Sequence, residues 1–327
     1  MKNTLLFGIL ILWSSFSFAQ NKGNINHHLI VNINPTTAAI SVIDSMTIEP
    51  EVAREFLLNA IFTPISKTKG ISFKKIANNA SVTDVGMDRD DADGETNLEL
   101  NRWKIKGSAN SFVLAYEGKI VDEIGESKEN YQRGFAQSAG IINTLGVYLA
   151  GSTYWVPTFE EEVMTYTLVT ELPKDWKNVT TGERIHEEVI ADKHFDTWFC
   201  DRPQEEVFLI AAQFNEYSYT MNSGIKAMAF LRTPDEGIAN KYLEVTEQYM
   251  EMYVSMLGDY PYTKFALVEN FWETGYGMPS FTLLGEKVIR FPFILHSSYP
   301  HELLHNWWGN SVYVDFETGN WCEGITV

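Results

Sequence analysis

The stretch SSYPHELLHNWWGN, residues 297–310, sets two histidines four positions apart, with an acid directly after the first. Its local chemistry predicts a helix. Ser298 suits the N-cap, where a hydroxyl accepts from a backbone donor that has no partner in the first turn. Pro300 falls in that turn, where its missing N–H leaves no bond unmade. Leu303, Leu304, Trp307 and Trp308 then form the apolar stripe of a buried element. At about 3.6 residues per turn, His301 and His305 return to nearly one face, and Glu302 sits about 100° away.

Two imidazoles so placed can close on one small cation, and the neighbouring carboxyl can reach a water held by the same ion. The arrangement asks for a third ligand. Glu323, followed by Gly324, lies 18 positions beyond His305, far enough to come from a following helix. Two nitrogens and one oxygen give the three-ligand shell of a catalytic zinc site with its fourth position open. That donor set suits Zn2+ better than magnesium or calcium, and the spacing predicts one ion per chain. Glu302 is then placed to act as general base while water attacks a peptide carbonyl. The opposing reading is a structural helix with two satisfied core histidines. It would strand Glu302 as a buried, unpaired carboxylate, which is costly.

The rest of the chain bounds the problem. It has 327 residues, enough for about two domains of ordinary size. A net charge of −18 gives a field that repels nucleic acid and anionic lipid, so neither is expected as a partner. The acidic run DVGMDRDDADGE (84–95) does not fit a calcium loop. Arg89 stands where the first ligand belongs and Leu100 where the closing glutamate belongs, so the run reads as a solvated loop. The opening MKNTLLFGILILWSSFSFAQ has the build of an export signal: Lys2, an apolar run from Leu5 to Phe16, and a small-x-small site ending at Ala19. That run is short for a bilayer span, and no other stretch qualifies. Export to the periplasm or the medium follows, with residues 1–19 removed. Cys200 and Cys322 are too few for a disulfide framework; a pair is permitted by an oxidising compartment but not specified by sequence.

Between about 25 and 225 the dominant period is two. Phe112, Leu114 and Tyr116 share one face, and Met164, Tyr166 and Leu168 alternate with polar residues. Turn signals at Asn34-Pro35, Gly107-Ser108, Gly151-Ser152 and Pro173-Lys174 separate these runs, so residues 20–225 predict an antiparallel β domain. After Pro234 the period becomes helical. Tyr242, Val245, Tyr249, Met252, Tyr253 and Met256 form the core-facing stripe, and Gly258 can end the helix. This helix, a strand in YTKFALVENF and the histidine helix make a second unit, residues 226–327.

In order along the chain, YLAGSTYWVPTF (148–159), GDYPYTKFALVE (258–269), ETGYGMPSF (273–281), HELLHNWWGN (301–310) and NWCEG (320–324) resemble the aminopeptidase N-like, or membrane alanyl aminopeptidase, zinc metallopeptidases of the gluzincin type. The resemblance implies an α+β protein. A saddle-like antiparallel β domain would precede a thermolysin-like catalytic domain. It implies His301, His305 and Glu323 as zinc ligands, Glu302 as general base, peptides as substrates, and Gly275, Tyr276, Gly277 and Met278 as a substrate-lining edge. It also implies that the chain is the N-terminal part of a longer enzyme, with the catalytic domain cut short after the third ligand. One departure concerns substrate. The family's Gly-x-Met-Glu-Asn segment appears here as GYGMPS, so Pro279 and Ser280 occupy the places of the amine-gripping glutamate and its asparagine. Glu269 and Glu273 are the acids nearest in sequence. That loss favours an alternative, a non-catalytic zinc-binding or regulatory module, whereas Glu302 argues against it, because metal binding alone needs no base.

The leader makes a direct prediction. Mass spectrometry of exported protein is expected to find a mature N-terminus at Gln20, and exported material that retains Met1 would refute the signal.

Overall fold

A computed structural model describes residues 23–78, 98–126, 136–314, 319 and 321–326. The leader and the acidic run at 84–95 lie outside the described residues.

The first unit is built on a seven-stranded sheet. Its strands, in spatial order, are Glu183–Ile190, Lys193–Gln204, Met164–Pro173, Ile25–Asn34, Ala39–Ile48, Ser111–Lys119 and Ile65–Ser66. The period-two pattern sets which side chains face inward. Along Met164–Pro173 buried and half-buried residues alternate at every position, with Met164, Tyr166 and Leu168 on the core side. Phe112, Leu114 and Tyr116 do the same in Ser111–Lys119. The expected antiparallel pairing holds for this sheet except at its centre, where Ile25–Asn34 and Met164–Pro173 run parallel. The intervening chain is long enough for the crossover that a parallel pair requires. A four-stranded sheet (Ile141–Ile142, Val147–Leu149, Leu209–Ala212, Lys177–Val179), a three-stranded sheet (Glu55–Asn59, Leu100–Lys106, Ser72–Asn78) and a two-stranded one (Gly125–Glu126, Ala136–Gln137) accompany the seven-stranded sheet.

The second unit holds a five-stranded mixed sheet, ordered Asn215–Thr220, Lys226–Leu231, Lys264–Asn270, Phe281–Gly285 and Gly275–Met278. Its three middle strands are parallel, and both edge strands are antiparallel. Sheet membership therefore changes between Leu209–Ala212 and Asn215–Thr220, ahead of the residue-225 switch in periodicity. The strand NEYSYT is too polar to declare its sheet by pattern. It is placed by Tyr219, whose hydroxyl donates to the Leu243 carbonyl (3.2 Å) and to Glu247 (2.8 Å) on the neighbouring helix.

That helix, α1 (Glu236–Leu257), makes the crossover between two parallel strands. Asp235 caps its start by accepting from Ile238 N at 2.9 Å. Gly258 ends it at φ 97°, its N–H donating to the Val254 carbonyl. The buried arc is Ala239, Tyr242, Leu243, Val245, Thr246, Met250 and Tyr253. Met252 and Met256, expected in the core stripe, are 42% and 70% exposed. Met252 lies at the margin of the arc, and Met256 falls in the last turn beyond the packed contact.

Both faces of the five-stranded sheet are covered, which is why its central strands carry near-continuous apolar runs. One face, with Met228, Phe230, Val268, Phe281 and Leu283, joins the same buried cluster as Trp198 and Phe208 of the first unit. The other, with Phe265 and Leu267, packs on Tyr242, Tyr253, Tyr299 and Leu303 of the helices. No disulfide joins Cys200 and Cys322; both are buried thiols.

A core shared between the units predicts one cooperative unfolding transition. Phe281 is fully buried and meets Phe208 edge-on at 5.9 Å across the junction. Phe281→Ala is expected to lower stability by about 3–5 kcal/mol while keeping a single transition. Two resolved transitions, with only the second moved, would show that the units fold independently.

Candidate metal centre

The histidine helix is α2 (Ser298–Leu304). It starts one residue earlier than the sequence suggested. Ser297 occupies the N-cap position, makes no side-chain cap and donates its hydroxyl to the Phe293 carbonyl at 2.8 Å. Ser298 is therefore the first helical residue rather than the cap. The helix is short, and tertiary contacts fix it in place. Tyr299 is fully buried, meets Tyr242 edge-on at 4.7 Å and shares a 2.6 Å hydrogen bond with Thr246 of α1. Tyr253 donates to the Pro300 carbonyl at 3.2 Å. His305 retains helical backbone angles at the C-cap, and its N–H donates to the His301 carbonyl at 3.1 Å. The four-residue spacing thus becomes one shared face.

On that face the two Nε2 atoms lie 3.0 Å apart. Glu323, on the short helix α3 (Cys322–Thr326), brings its carboxylate oxygens within 3.4 Å of His301 Nε2 and 3.3 Å of His305 Nε2. The opposite ring nitrogens are also engaged. His301 Nδ1 donates to the Thr326 carbonyl at 3.1 Å, and His305 Nδ1 to the Trp308 carbonyl at 3.2 Å. Cys322 Sγ lies 3.3 Å from His305 Nδ1 and donates to the Trp308 carbonyl. With Nδ1–H committed to carbonyls, neutral rings present their Nε2 lone pairs to each other and to a carboxylate. Three acceptors then converge, an arrangement made favourable only by a cation among them.

The donor set fits zinc. Nitrogen and oxygen ligands about 2.0–2.1 Å from a tetrahedral ion stand about 3.3–3.4 Å from one another. The ring and carboxylate atoms here are separated by 3.0 to 3.4 Å. The hydrogen bond to Glu323 is the main cause that raises His301 to about 9, against the opposing effect of burial. The same bond holds Glu323 below the usual carboxylate range, and burial pushes His305 down, towards the neutral ligand form.

Glu302 lies close to the same point: one of its carboxylate oxygens and a ring nitrogen of each of His301 and His305 lie within 4.8 Å of one another. Desolvation raises its carboxyl to about 7, opposed by nearby His301 and reinforced by Glu323. A carboxyl poised there can exchange a proton near neutrality. Glu302 abuts the edge strand Gly275–Met278: a Cβ added to Gly277 would stand 2.2 Å from Glu302 Oε2. Met278 is buried, and Tyr276 stands 6.4 Å, ring to ring, from Tyr148 of the first unit.

The two acids nearest this strand in sequence are used elsewhere. Glu269 is 1% exposed and accepts from Arg290 Nη1 at 3.0 Å and from Arg232 N at 2.7 Å. Glu273 accepts from Lys287 N at 3.2 and 3.3 Å and packs against Gly285. Another cluster, Glu187 with His194 and Asp196, has ligand-type side chains. There Lys177 bonds Glu187 at 2.9 Å, and Arg184 reaches both Glu187 and Asp196, so cations of the chain itself neutralise the acids.

Sequence reading missed the outer partners of the ligands, the carbonyls of Thr326 and Trp308 and the thiol of Cys322, and the amide of Asn306, which bonds the Glu302 carbonyl. Backbone carbonyls leave no sequence signal. Asn306 follows His305 directly, but its inward direction depends on the turn that ends α2.

No protein-family model matches the chain, and no curated protein matches it. Solved structures do. An M1 zinc metallopeptidase from Deinococcus radiodurans aligns over 88% of this chain and 64% of its own length, with 12% identity and a TM-score of 0.53. A mutant of that enzyme bound to a Tyr-Ser-Ala substrate gives the same coverage, 12% identity and a TM-score of 0.51. A two-domain M1 zinc metallopeptidase mutant bound to L-arginine gives 11% and 0.52. The chain thus spans somewhat less than two thirds of the length of these enzymes, and what it shares with the M1 zinc metallopeptidases is their fold.

Proposed function

We propose that this chain carries the zinc centre and general base of an exported metallopeptidase that hydrolyses peptide bonds in an aminopeptidase-like manner. In this reading residues 226–327 supply a thermolysin-like catalytic unit, and the preceding β domain backs it. The observation that carries it is the convergence of His301, His305 and Glu323 with Glu302 close by; in this reading the first three hold the metal and Glu302 is the base. The shared fold supports a peptidase, and two of the matched structures hold a peptide substrate or an amino acid.

When bound, zinc would supply Lewis acidity and lower the pKa of a coordinated water towards about 7. The residues of the chain do the rest. His301 and His305 present Nε2 because Thr326 and Trp308 hold their Nδ1–H groups. Glu302, raised to about 7, takes the proton of the attacking water and can return it to the leaving amine. The edge strand Gly275–Met278 offers its free side to an extended peptide as an added strand. The absence of side chains at Gly275 and Gly277 lets that peptide approach Glu302.

One zinc per chain is expected by metal analysis. His301→Ala or His305→Ala should weaken binding by orders of magnitude, because the shell needs its full ligand count. Stoichiometric zinc in both variants would place the metal elsewhere.

Glu302→Gln should keep zinc and lose nearly all turnover, since an amide matches the shape but accepts no proton. Gly277→Ala should impair turnover as well, by driving a methyl into the Glu302 carboxylate. Retained hydrolysis by Glu302→Gln would remove this residue from the mechanism.

Substrate polarity follows from the commitments of Glu269 and Glu273 and from Pro279. A desolvated ammonium needs a carboxylate facing it. Matched peptides with free and acetylated N-termini, given to an active zinc-loaded preparation, should differ by less than about tenfold in kcat/KM. A preference of about a hundredfold for the free amine, roughly 2.7 kcal/mol, would mean that another acid grips it.

A further inference from the structure

At the far end of the edge strand, a buried lysine meets a backbone in an unusual conformation. Lys264 is 2% exposed, and no salt bridge among the described residues includes it. Its ammonium donates to Ser280 Oγ at 2.7 Å and to the Ser280 carbonyl at 3.2 Å, and lies 5.4 Å from the ring centres of both Trp198 and Phe281. Ser280 forms the turn between Gly275–Met278 and Phe281–Gly285 and has φ 69°, a left-handed conformation that a non-glycine residue adopts only under constraint. Its N–H donates to Asn306 Oδ1 at 2.6 Å.

Asn306 is fully buried and carries the connection to the histidine helix. Its Nδ2 donates to the carbonyls of Glu302 (3.2 Å) and Leu303 (3.1 Å), the open C-terminal end of α2. Tyr260 closes the ring, its hydroxyl shared between Asn306 Oδ1 (3.1 Å) and the Lys264 carbonyl (2.9 Å). Lys264, Ser280, Asn306 and Tyr260 are thus linked in one closed circuit. One side of the circuit holds the hairpin that includes Gly277, and the other holds the backbone of Glu302.

We propose that Lys264 is a positioning residue: through Ser280 and Asn306 it clamps the edge strand at a fixed distance from Glu302. A simpler role in stability fits poorly. Burial, with a smaller contribution from Arg184, drives this amine from the ordinary lysine value down to about 7, so the charged form is disfavoured in the folded protein, and an apolar side chain would remove that cost. What the ammonium supplies, and an apolar chain does not, is a pair of donors that hold Ser280 in its left-handed turn. The functional half of this proposal rests on the peptidase reading; the structural half does not.

The test uses the zinc-loaded full chain with Lys264→Met. Amide hydrogen exchange across residues 275–281 should quicken by about tenfold or more, with the midpoint of unfolding unchanged or raised and zinc content unaltered. KM for peptide should rise more than kcat falls, because the strand that receives the substrate is loosened. Adding Ser280→Gly should slow the exchange again, since glycine takes that φ without constraint. Wild-type exchange in a folded Lys264→Met protein would overturn the clamp, and so would a variant that fails to fold, because Lys264 would then be a folding residue. If the wild-type chain neither binds zinc nor cleaves peptides while the hairpin still loosens, the clamp stands and the peptidase reading falls. If wild-type turnover is robust and Lys264→Met leaves both exchange and KM alone, the reverse holds.

Discussion

Two hydrogen bonds govern the site: those from Nδ1 of His301 and His305 to the carbonyls of Thr326 and Trp308. They fix each ring's tautomer and aim two lone pairs at the point that Glu323 also faces. Without them either ring could flip, and the four-residue spacing would guarantee nearness but not convergence. The carbonyls come from different places, one on the last turn of α3 and one in the turn after α2. The ligand set is therefore assembled only when both segments are docked.

Docking depends in turn on aromatic packing. Tyr242 and Tyr253 of α1 form the bed on which Tyr299, Pro300 and Trp307 lie. α2, with only seven residues, is too short to persist alone. The five-stranded sheet supports this layer from below and shares its other face with the β domain, so the zinc helix is braced by residues as distant in sequence as Trp198 and Phe208. A site that must hold four side chains within a few tenths of an ångström benefits from a platform of this kind.

Charge in the interior is treated in two ways. Near the metal centre it is concentrated and matched: Glu323 faces both histidines, and Glu302 is left poised at about 7 by desolvation. At Lys264 the ammonium has no acid partner among the salt bridges of the described residues and is held by neutral acceptors and ring faces. The first arrangement suits a cation, and the second suits the holding of a backbone turn. Glu269 and Glu273, bound to Arg290 and to backbone N–H groups, serve the same structural purpose near the ends of their strands.

The sequence by itself determined the alternation of the first unit's strands, the helical run that begins after Pro234 and ends at Gly258, and the grouping of His301, Glu302 and His305. These follow from short-range physics: strand and helix periods, capping chemistry and the rise of a helix are properties of neighbouring residues. Tertiary structure alone decided the parallel pairing of Ile25–Asn34 with Met164–Pro173, the transfer of the polar strand Asn215–Thr220 to the second sheet, the exposure of Met252 and Met256, and the one-residue shift of the helix start from Ser298. It alone decided that Glu323 swings onto the histidine face and that Lys264 points into the core against Ser280. Each of these is a contact between segments far apart in the chain, settled by which surfaces remain to be buried once the local elements have formed, and no local pattern encodes that choice.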